Sequence, residues 1–518
     1  MLTCIRKAFE LLEGIGVTGA SGGRLTIADV MAEESADDSV YGMISEADTV
    51  GVFQIESRAQ MSILPRLKPR CFYDLVIEVA IVRPGPIQGK MVHPYLRRRQ
   101  GKEAVEFPNE AVRGVLGRTL GVPLFQEQAM QLAIVAAGFT PDQADGLRRA
   151  MASWKRKGNA IARYGEHLIS GMLANGYERE FAERCFEQVK GFSEYGFPES
   201  HAASFAILVY VSAWLKHHHP AAFAAALINS QPMGFYQPAQ IVRDAQEHGV
   251  EVLPIDVNLS GWDCVLEAGK GRPALRLGMR LVKGLRAGDA EKIADAVRAH
   301  GEYITVESLW RESGASVGGL RCLARGDAFG SMGLDRQRAL WQIKPLRDEA
   351  MPLFSGEDGG GLDGTDATGL DRLPAVPAEE RVRGDYASVR LSLAAHPVSF
   401  LRRDLDGLGV TPAEDLRDAA VCPARRVVTV AGLVLCRQRP GTASGVTFIT
   451  LEDETGIANL VIWRDVFETF RREARLSVAL LARGVIEREG GVVHVHAQRL
   501  ESLDGRMPLL GGMSRDFH

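Results

Sequence analysis

Residues 194–220 read EYGFPESHAASFAILVYVSAWLKHHHP, and the rest of the chain is organised around them. Pro198 and Ser200 stand just before an apolar run, and a hydroxyl in that place can accept a free first-turn amide, so Ser200 is the expected N-cap. Almost every residue from Ala202 to Leu215 is apolar, which predicts a helix buried on most sides. Pro220 disfavours helix at His219 and should end it. Ser200 and His201 would then crown the positive end of a buried helix, where amides and dipole favour an anion, phosphate above all. An ordinary polar cap on a core helix explains the same letters. The basic sequence upstream is what favours phosphate.

That basic sequence is local. The 518 residues carry a net charge of -4 at pH 7, with 46% hydrophobic and 24% charged residues, as in an ordinary globular protein. Yet Lys/Arg occupy positions 58, 66, 68, 70, 83, 90, 97, 98, 99 and 102, against only Asp74 and Glu78 in that stretch. Such a block can neutralise phosphates whatever the total charge. Arg83 begins an RPGP corner that cannot continue the helix expected over Phe72–Val82. Arg97, Arg98 and Arg99 fall at a helix end, where cations are favoured in any case. Further on, Arg148, Arg149, Lys155, Arg156 and Lys157 follow one another with no acid between. A solvated helix face accounts for them as readily as a phosphate site does. Basic residues beside a free helix N-terminus are what a triphosphate needs.

The length exceeds a single core and implies three or four domains. The seven cysteines are scattered without a CxxC pair, so no zinc site is expected and a reducing compartment is. The longest apolar run is too short to span a bilayer, and no signal peptide opens the chain, which points to the cytoplasm by elimination. The adjacent His217, His218 and His219 would point apart on a helix, which argues against a metal site. Val50, Val52 and Gln54 alternate as a short strand, and Gly121–Val135 reads as strand turning into amphipathic helix. Around 275–300, Gly284 and Gly288 flank a tight turn between apolar segments, as a helix-hairpin-helix does to bring backbone amides onto a DNA phosphate, although GxxxG spacing more often serves plain packing. A second helical pair is expected near 305–345. Residues 355–385 are rich in Gly, Asp and Glu and read as a flexible acidic linker. From Arg426 to Leu500 the period becomes that of short strands parted by PGTASG, DETG and EREGG, with one helical piece near 464–474. Five strands with a helix in that place predict an OB barrel, a frequent binder of single strands, here with Phe448 and Trp463 as its evident aromatics.

Five blocks in order, TVGVFQIESRAQM (49–61), RPGP (83–86), LFQEQAM (124–130), LRRAM (147–151) and YGFPESHAASFA (195–206), resemble the finger region of bacterial C-family DNA polymerases, the replicative alpha-subunit type. LRLGMRLVKGLR and LSLAAHPVSFLRRDL are similar to its error-prone branch, which is linked to damage-induced mutagenesis and translesion synthesis. The resemblance implies a multi-domain α+β chain. The end of the palm and the approach to the fingers would span 1–60 and mainly helical fingers 61–260. A helix-hairpin-helix domain would follow over 261–350, a flexible linker over 351–395, an OB-fold barrel over 396–505 and a loose tail over 506–518. It implies Arg148, Arg149, Lys155, Lys157, Ser200 and His201 near the incoming dNTP. It implies Lys283 and Gly284 against the phosphates of primer-template DNA, and Arg83, Arg97, Arg98 and Arg99 in structural or DNA backbone-phosphate contacts. Met351, Leu353 and Phe354 sit where the family has its sliding-clamp peptide, though without its usual glutamine. Other expected partners are Y-family-like and recombinase-like accessory proteins. The family's palm holds two Mg²⁺ on three aspartates. Met1–Leu12 resembles the helix that follows the third, so the metal ligands are expected to be missing and the chain inactive alone. A stand-alone DNA-binding accessory or relic protein is the alternative.

Overall fold

A computed structural model describes residues 1–34, 37–81, 88–152, 159–191, 198–234, 236–347, 375–439, 445–489, 492–506 and 515–517. The chain divides into two compact units, one of Met1–Leu2 with Thr18–His218, the other of Thr3–Val17 with His219–His518.

The first unit is helical. Its axis is the helix Glu199–His218, in which every residue from Val209 to Lys216 is buried. The helix Phe72–Ile81 packs along it and is itself buried from Asp74 onward. Two apolar helices in contact exclude water from both, and only helices apolar on most sides can pair this way. The helix ends at the expected place, and the helix Pro220–Asn229, with proline in its first turn, belongs to the second unit. A second core is built from Leu116, Leu132, Phe139, Leu147, Leu168 and Met172. It lies among the helices Glu110–Leu116, Gln126–Ala137, Pro141–Ala152 and Asn159–Ala174.

Two expected strands are not there. Residues 49–57 form successive turns, because Gly51 and Gln54 take positive φ values of 76° and 65°. Val52 and Ile55 are buried, so the alternation reflects turn packing rather than a pleat. Val122, Leu124 and Phe125 are also buried, in a connection with no strand partner.

In the second unit a small sheet runs in the order β1 (Val252–Leu253), β3 (Ala274–Arg276), β2 (Val265–Glu267). After β3 comes a single 3-10 turn, Met279–Leu281, then the hairpin turn and the helix Ala287–His300. The first arm of the hairpin is thus one short turn, and Gly288 belongs to the helix. Only Gly284, at φ +82°, has the left-handed conformation that a tight turn requires. Helices Val306–Ser313, Val317–Arg325 and Arg336–Ile343 complete the domain, three where a pair was expected. Ala378–Ser388, assigned to the linker by composition, is a helix: its Asp385 pairs with Arg336, and Ser388 accepts the Lys283 amide at 2.8 Å.

The C-terminal barrel comprises β4 (Val427–Gln438), β5 (Thr447–Glu452), β6 (Ile457–Ile462), β7 (Ala479–Glu489) and β8 (Val492–Ser502). It closes in the order β4-β5-β6-β8-β7-β4, with β6 and β8 parallel, which is OB topology. β4 must serve both edges of the closure. At Gly432 any Cβ would lie 2.5 Å from the Glu452 carbonyl oxygen, so only glycine lets β4 approach β5 there. Ile449, Leu451, Leu460, Ile462, Leu480 and Val495 fill the interior, and Phe467 of the helix Arg464–Thr469 packs with them. The tail, expected to be loose, contributes β9 (Arg515–Phe517), parallel to β4 at 436–438. The overhang of β4 leaves backbone groups there to be paired.

Candidate nucleotide and nucleic-acid interface

The first turn of the helix Glu199–His218 gathers four of the motif blocks' neighbours. The helix begins one residue before Ser200, which therefore sits exposed inside the first turn instead of capping it. The Glu199 amide donates to Glu127 Oε2 at 3.0 Å, and Tyr73 donates its hydroxyl to Glu199 Oε1 at 2.8 Å. Arg118 lies 3.5 Å over the Tyr73 ring. The positive end is thus partly answered by carboxylates from within the protein, and a phosphate arriving there meets the remaining amides beside two acids. His201 packs on Phe205 at 4.2 Å between ring centroids, and Phe205 meets Phe53 edge-on at 5.2 Å. The Phe53 amide donates to Ser212 at 3.0 Å. At the far end Lys216, only 1% exposed, reaches Asp48 at 2.8 Å. The 49–61 block is therefore bound along the 199–218 helix.

Glu127 and Glu56 were not singled out from sequence. The signal for Glu127 was its place in a first helical turn, where an acid is favoured. Glu56 sits between a buried turn and the cap Ser57, whose hydroxyl accepts the Gln60 amide. Burial pushes its carboxyl up to about 7, with a Gly51 backbone hydrogen bond acting the other way.

Arg148 and Arg149 lie on the helix Pro141–Ala152, and both reach Asp145 of that helix, at 2.8 and 3.2 Å. Their side chains remain 41% and 69% exposed, so the pairing is a weak surface one that a phosphate can displace. Ser200 and His201 are neighbours in sequence on a different helix from these arginines. Lys155, Lys157, Arg83, Met351, Leu353 and Phe354 lie outside the described residues.

The arginine run is turned inward. Arg97 and Arg98 share Glu103, and Arg98 also reaches the Leu120 carbonyl at 2.7 Å. Arg99 pairs with the buried Asp74 at 2.6 Å and touches the Leu67 and Lys68 carbonyls. Arg98 and Arg99 hold helices together, and Arg97 is the most exposed of the three. The hairpin is different: Lys283, Gly284 and Arg286 are all exposed, and no ion pair engages Lys283 or Arg286 among the described residues.

Five acids of the finger unit do not supply the clustered, ionised oxygens that a pair of Mg²⁺ ions needs. Asp48, Asp74, Glu127 and Asp145 are each held by a donor of the protein, and Glu56 is pushed toward its neutral form. Within either unit taken by itself, the described residues bring no three acids, histidines or cysteines close enough to share an ion. All seven cysteines are free thiols. His218 pairs with Asp37 at 2.7 Å. No helix among the described residues is long and apolar enough to cross a membrane.

Residues 1–176 match the family described as the bacterial DNA polymerase III alpha subunit finger domain. Residues 249–339 match a helix-hairpin-helix motif and 428–503 an OB-fold nucleic acid binding domain. The chain is 53% identical over 543 residues to error-prone DNA polymerase 1 of Rhizobium meliloti, covering 100% of this chain and 47% of that one. It is 54% identical over 523 residues to the error-prone DNA polymerase of Alkalilimnicola ehrlichii, covering 100% and 49%. The Sinorhizobium medicae error-prone DNA polymerase is 53% identical over 543 residues, at 100% and 47%. The chain spans about half the length of these curated relatives. Over that span it belongs to the bacterial DNA polymerase III alpha-subunit-like family, in its error-prone branch.

Proposed function

We propose that this chain presents the nucleotide and holds the DNA for an error-prone, template-directed DNA polymerase. The observation that carries the reading is identity above half, along the whole chain, to polymerases of that name. In the reaction the primer 3′-hydroxyl attacks the dNTP α-phosphate and pyrophosphate leaves. Arg148 and Arg149, with Lys155 and Lys157, neutralise triphosphate charge, and Ser200 and His201 face the same nucleotide. Lys283, Gly284 and Arg286 grip duplex phosphate, and the barrel takes single-stranded template. The exposed arginines on one helix and the exposed left-handed glycine between two cations support these roles. Mg²⁺ supplies the Lewis acid of such chemistry, and the carboxylates described above do not suit it. The chain by itself is therefore expected not to extend a primer. Service in damage-induced mutagenesis and translesion synthesis, with a sliding clamp and Y-family-like and recombinase-like partners, belongs to the same reading.

The test is primer-template binding by fluorescence anisotropy over a salt series, with and without dNTP, on wild type and Arg148→Ala/Arg149→Ala. Steep loss of affinity between about 50 and 200 mM salt marks phosphate contacts. A dNTP effect that disappears in the double variant supports the nucleotide role of the arginines. Failure to bind DNA at any salt overturns the reading.

A further inference from the structure

We propose that Arg321 and Arg325 of the helix Val317–Arg325, with Arg390 just after the helix Ala378–Ser388, take further backbone phosphates of duplex DNA beside the hairpin turn. The inference rests on the hairpin's role above and extends it to residues outside the motif.

The packing around the turn brings these arginines to it. An added Cβ on Gly284 would lie 3.6 Å from Cys322 Sγ, and one on Gly326 would lie 3.3 Å from Val282 Cγ2. The helix Val317–Arg325 therefore runs directly behind the turn. Its N-terminus is fixed there as well. The Ser316 amide and hydroxyl donate to the carboxylate of Asp289, in the first turn of Ala287–His300, at 3.0 and 2.9 Å. A Cβ on Gly319 would lie 2.8 Å from the same carboxylate. Gly319, Cys322 and Gly326 thus face the hairpin and the helix that follows it. Successive helical residues are turned by about 100°, so Arg325 and Arg321 stand about 60° and 100° round from Cys322, on the flank that the two glycines leave free. Four residues apart, they point the same way, and both are exposed. Arg390 reaches the turn by another route. The Lys283 amide donates to the Ser388 carbonyl at 2.8 Å, which leaves Arg390 two residues from a direct bond to the turn. The helix Ala378–Ser388 also packs against Val317–Arg325. Arg390 is exposed and held at φ +65°, a left-handed conformation that a Cβ resists and that collects at functional positions.

The charge there is unanswered from within the protein. Residues 279–288, 317–326 and 386–396 hold six Lys/Arg and no Asp or Glu. Arg280 is taken by Asp263. The other five, Lys283, Arg286, Arg321, Arg325 and Arg390, are exposed and form no ion pair among the described residues. Of the acids on adjoining elements, Asp289 is spent on Ser316, and Asp385 on Arg336 and Ser392. Asp327 adjoins Arg336, and burial holds its carboxyl above the ordinary range. Glu291 stays exposed on the helix Ala287–His300. Cations gathered round one turn repel one another, and a row of phosphates relieves them. The hairpin amides hold one phosphate; arginines on two neighbouring segments widen the grip and fix the direction of the duplex without reading its sequence.

The experiment measures binding of a fluorescein-labelled blunt duplex to the full chain from about 50 to 200 mM salt. Wild type is compared with Arg321→Gln/Arg325→Gln/Arg390→Asn. Glutamine suits a helix and asparagine tolerates the left-handed turn, so these exposed positions keep their backbone. The plot of log affinity against log salt should become shallower by about 0.9 for each phosphate lost, about 2.7 for all three. The loss is then greatest at low salt and closes as salt rises. Arg321→Lys/Arg325→Lys keeps both charges and should keep the wild-type slope. Damage to packing alone would lower affinity equally at every salt. A triple-variant line parallel to wild type, or coincident with it, overturns the proposal and leaves the hairpin's role standing. The same change of slope with oligo(dT) would assign the arginines to single strands and overturns the duplex assignment. Lys283→Gln/Arg286→Gln tests the reading beneath: duplex binding unchanged in that variant overturns the hairpin's role, and this extension with it.

Discussion

Glu78 offers a direct test of how the finger core is held. It lies in the helix Phe72–Ile81 with no accessible surface, and neither carboxyl oxygen has a hydrogen-bond partner. Burial alone pushes its carboxyl up to about 8. An acid whose folded value is raised contributes its full stability below the unfolded value near 4.5 and loses it as pH climbs to 8. Each pH unit in that window costs about 1.4 kcal/mol, so the loss at pH 7 is about 3 kcal/mol and levels off near 5 kcal/mol above pH 8. Glu78→Gln keeps the shape and the buried polar atoms but cannot ionise. It should match wild type near pH 5 and exceed it by about 3 kcal/mol at pH 7. Hydrogen exchange of peptides covering 72–81, compared between the two proteins at each pH, reads the opening of this region alone and cancels the intrinsic rate. Equal protection at pH 5 and at pH 8 would mean that Glu78 stays charged with a partner, and would refute the reasoning.

Three further outcomes follow from the same contacts. Asp48→Asn leaves the buried Lys216 cation without its carboxylate and should cost about 3 kcal/mol; Asp48→Asn/Lys216→Met, which removes both charges, should recover most of it in urea unfolding. Gly284→Val forces a β-branched residue to φ +82° and should lower stability by about 1–2 kcal/mol while weakening duplex binding more than single-strand binding in anisotropy. Glu56→Gln should gain stability above wild type only as pH rises from 4.5 toward 7, its own raised window, with no gain in acid; thermal melts at several pH values decide it.

Much of this architecture was legible one-dimensionally. The 199–218 and 72–81 helices announce themselves because a run apolar on all sides has only one stable place, against another like it. The barrel was legible because short β-branched runs between turn signals at regular spacing leave few topologies. The candidate site was legible in one respect: Lys283 and Gly284, singled out at the hairpin turn, stand exposed. What the letters could not say is which charges are already spent. Arg97, Arg98 and Arg99 look identical in sequence, yet Arg99 is bound to Asp74 and Arg98 to Glu103 and a carbonyl. Nor could they show that Glu127, 72 residues away, accepts the Glu199 amide at the start of that helix.

By itself, then, the sequence determined the helical finger region, the hairpin domain, the five-stranded barrel and the family, because each rests on local periodicity or on ordered motifs. Tertiary structure alone decided that 49–57 is turns, that 378–388 is helix and that 515–517 joins the barrel. It alone set His496 beside Trp463 and left Glu78 without a partner. These outcomes depend on what the chain folds against. A backbone edge needing partners, a carboxylate arriving from another helix and the water excluded between two apolar faces are properties of the packed molecule, and no window of neighbouring residues contains them.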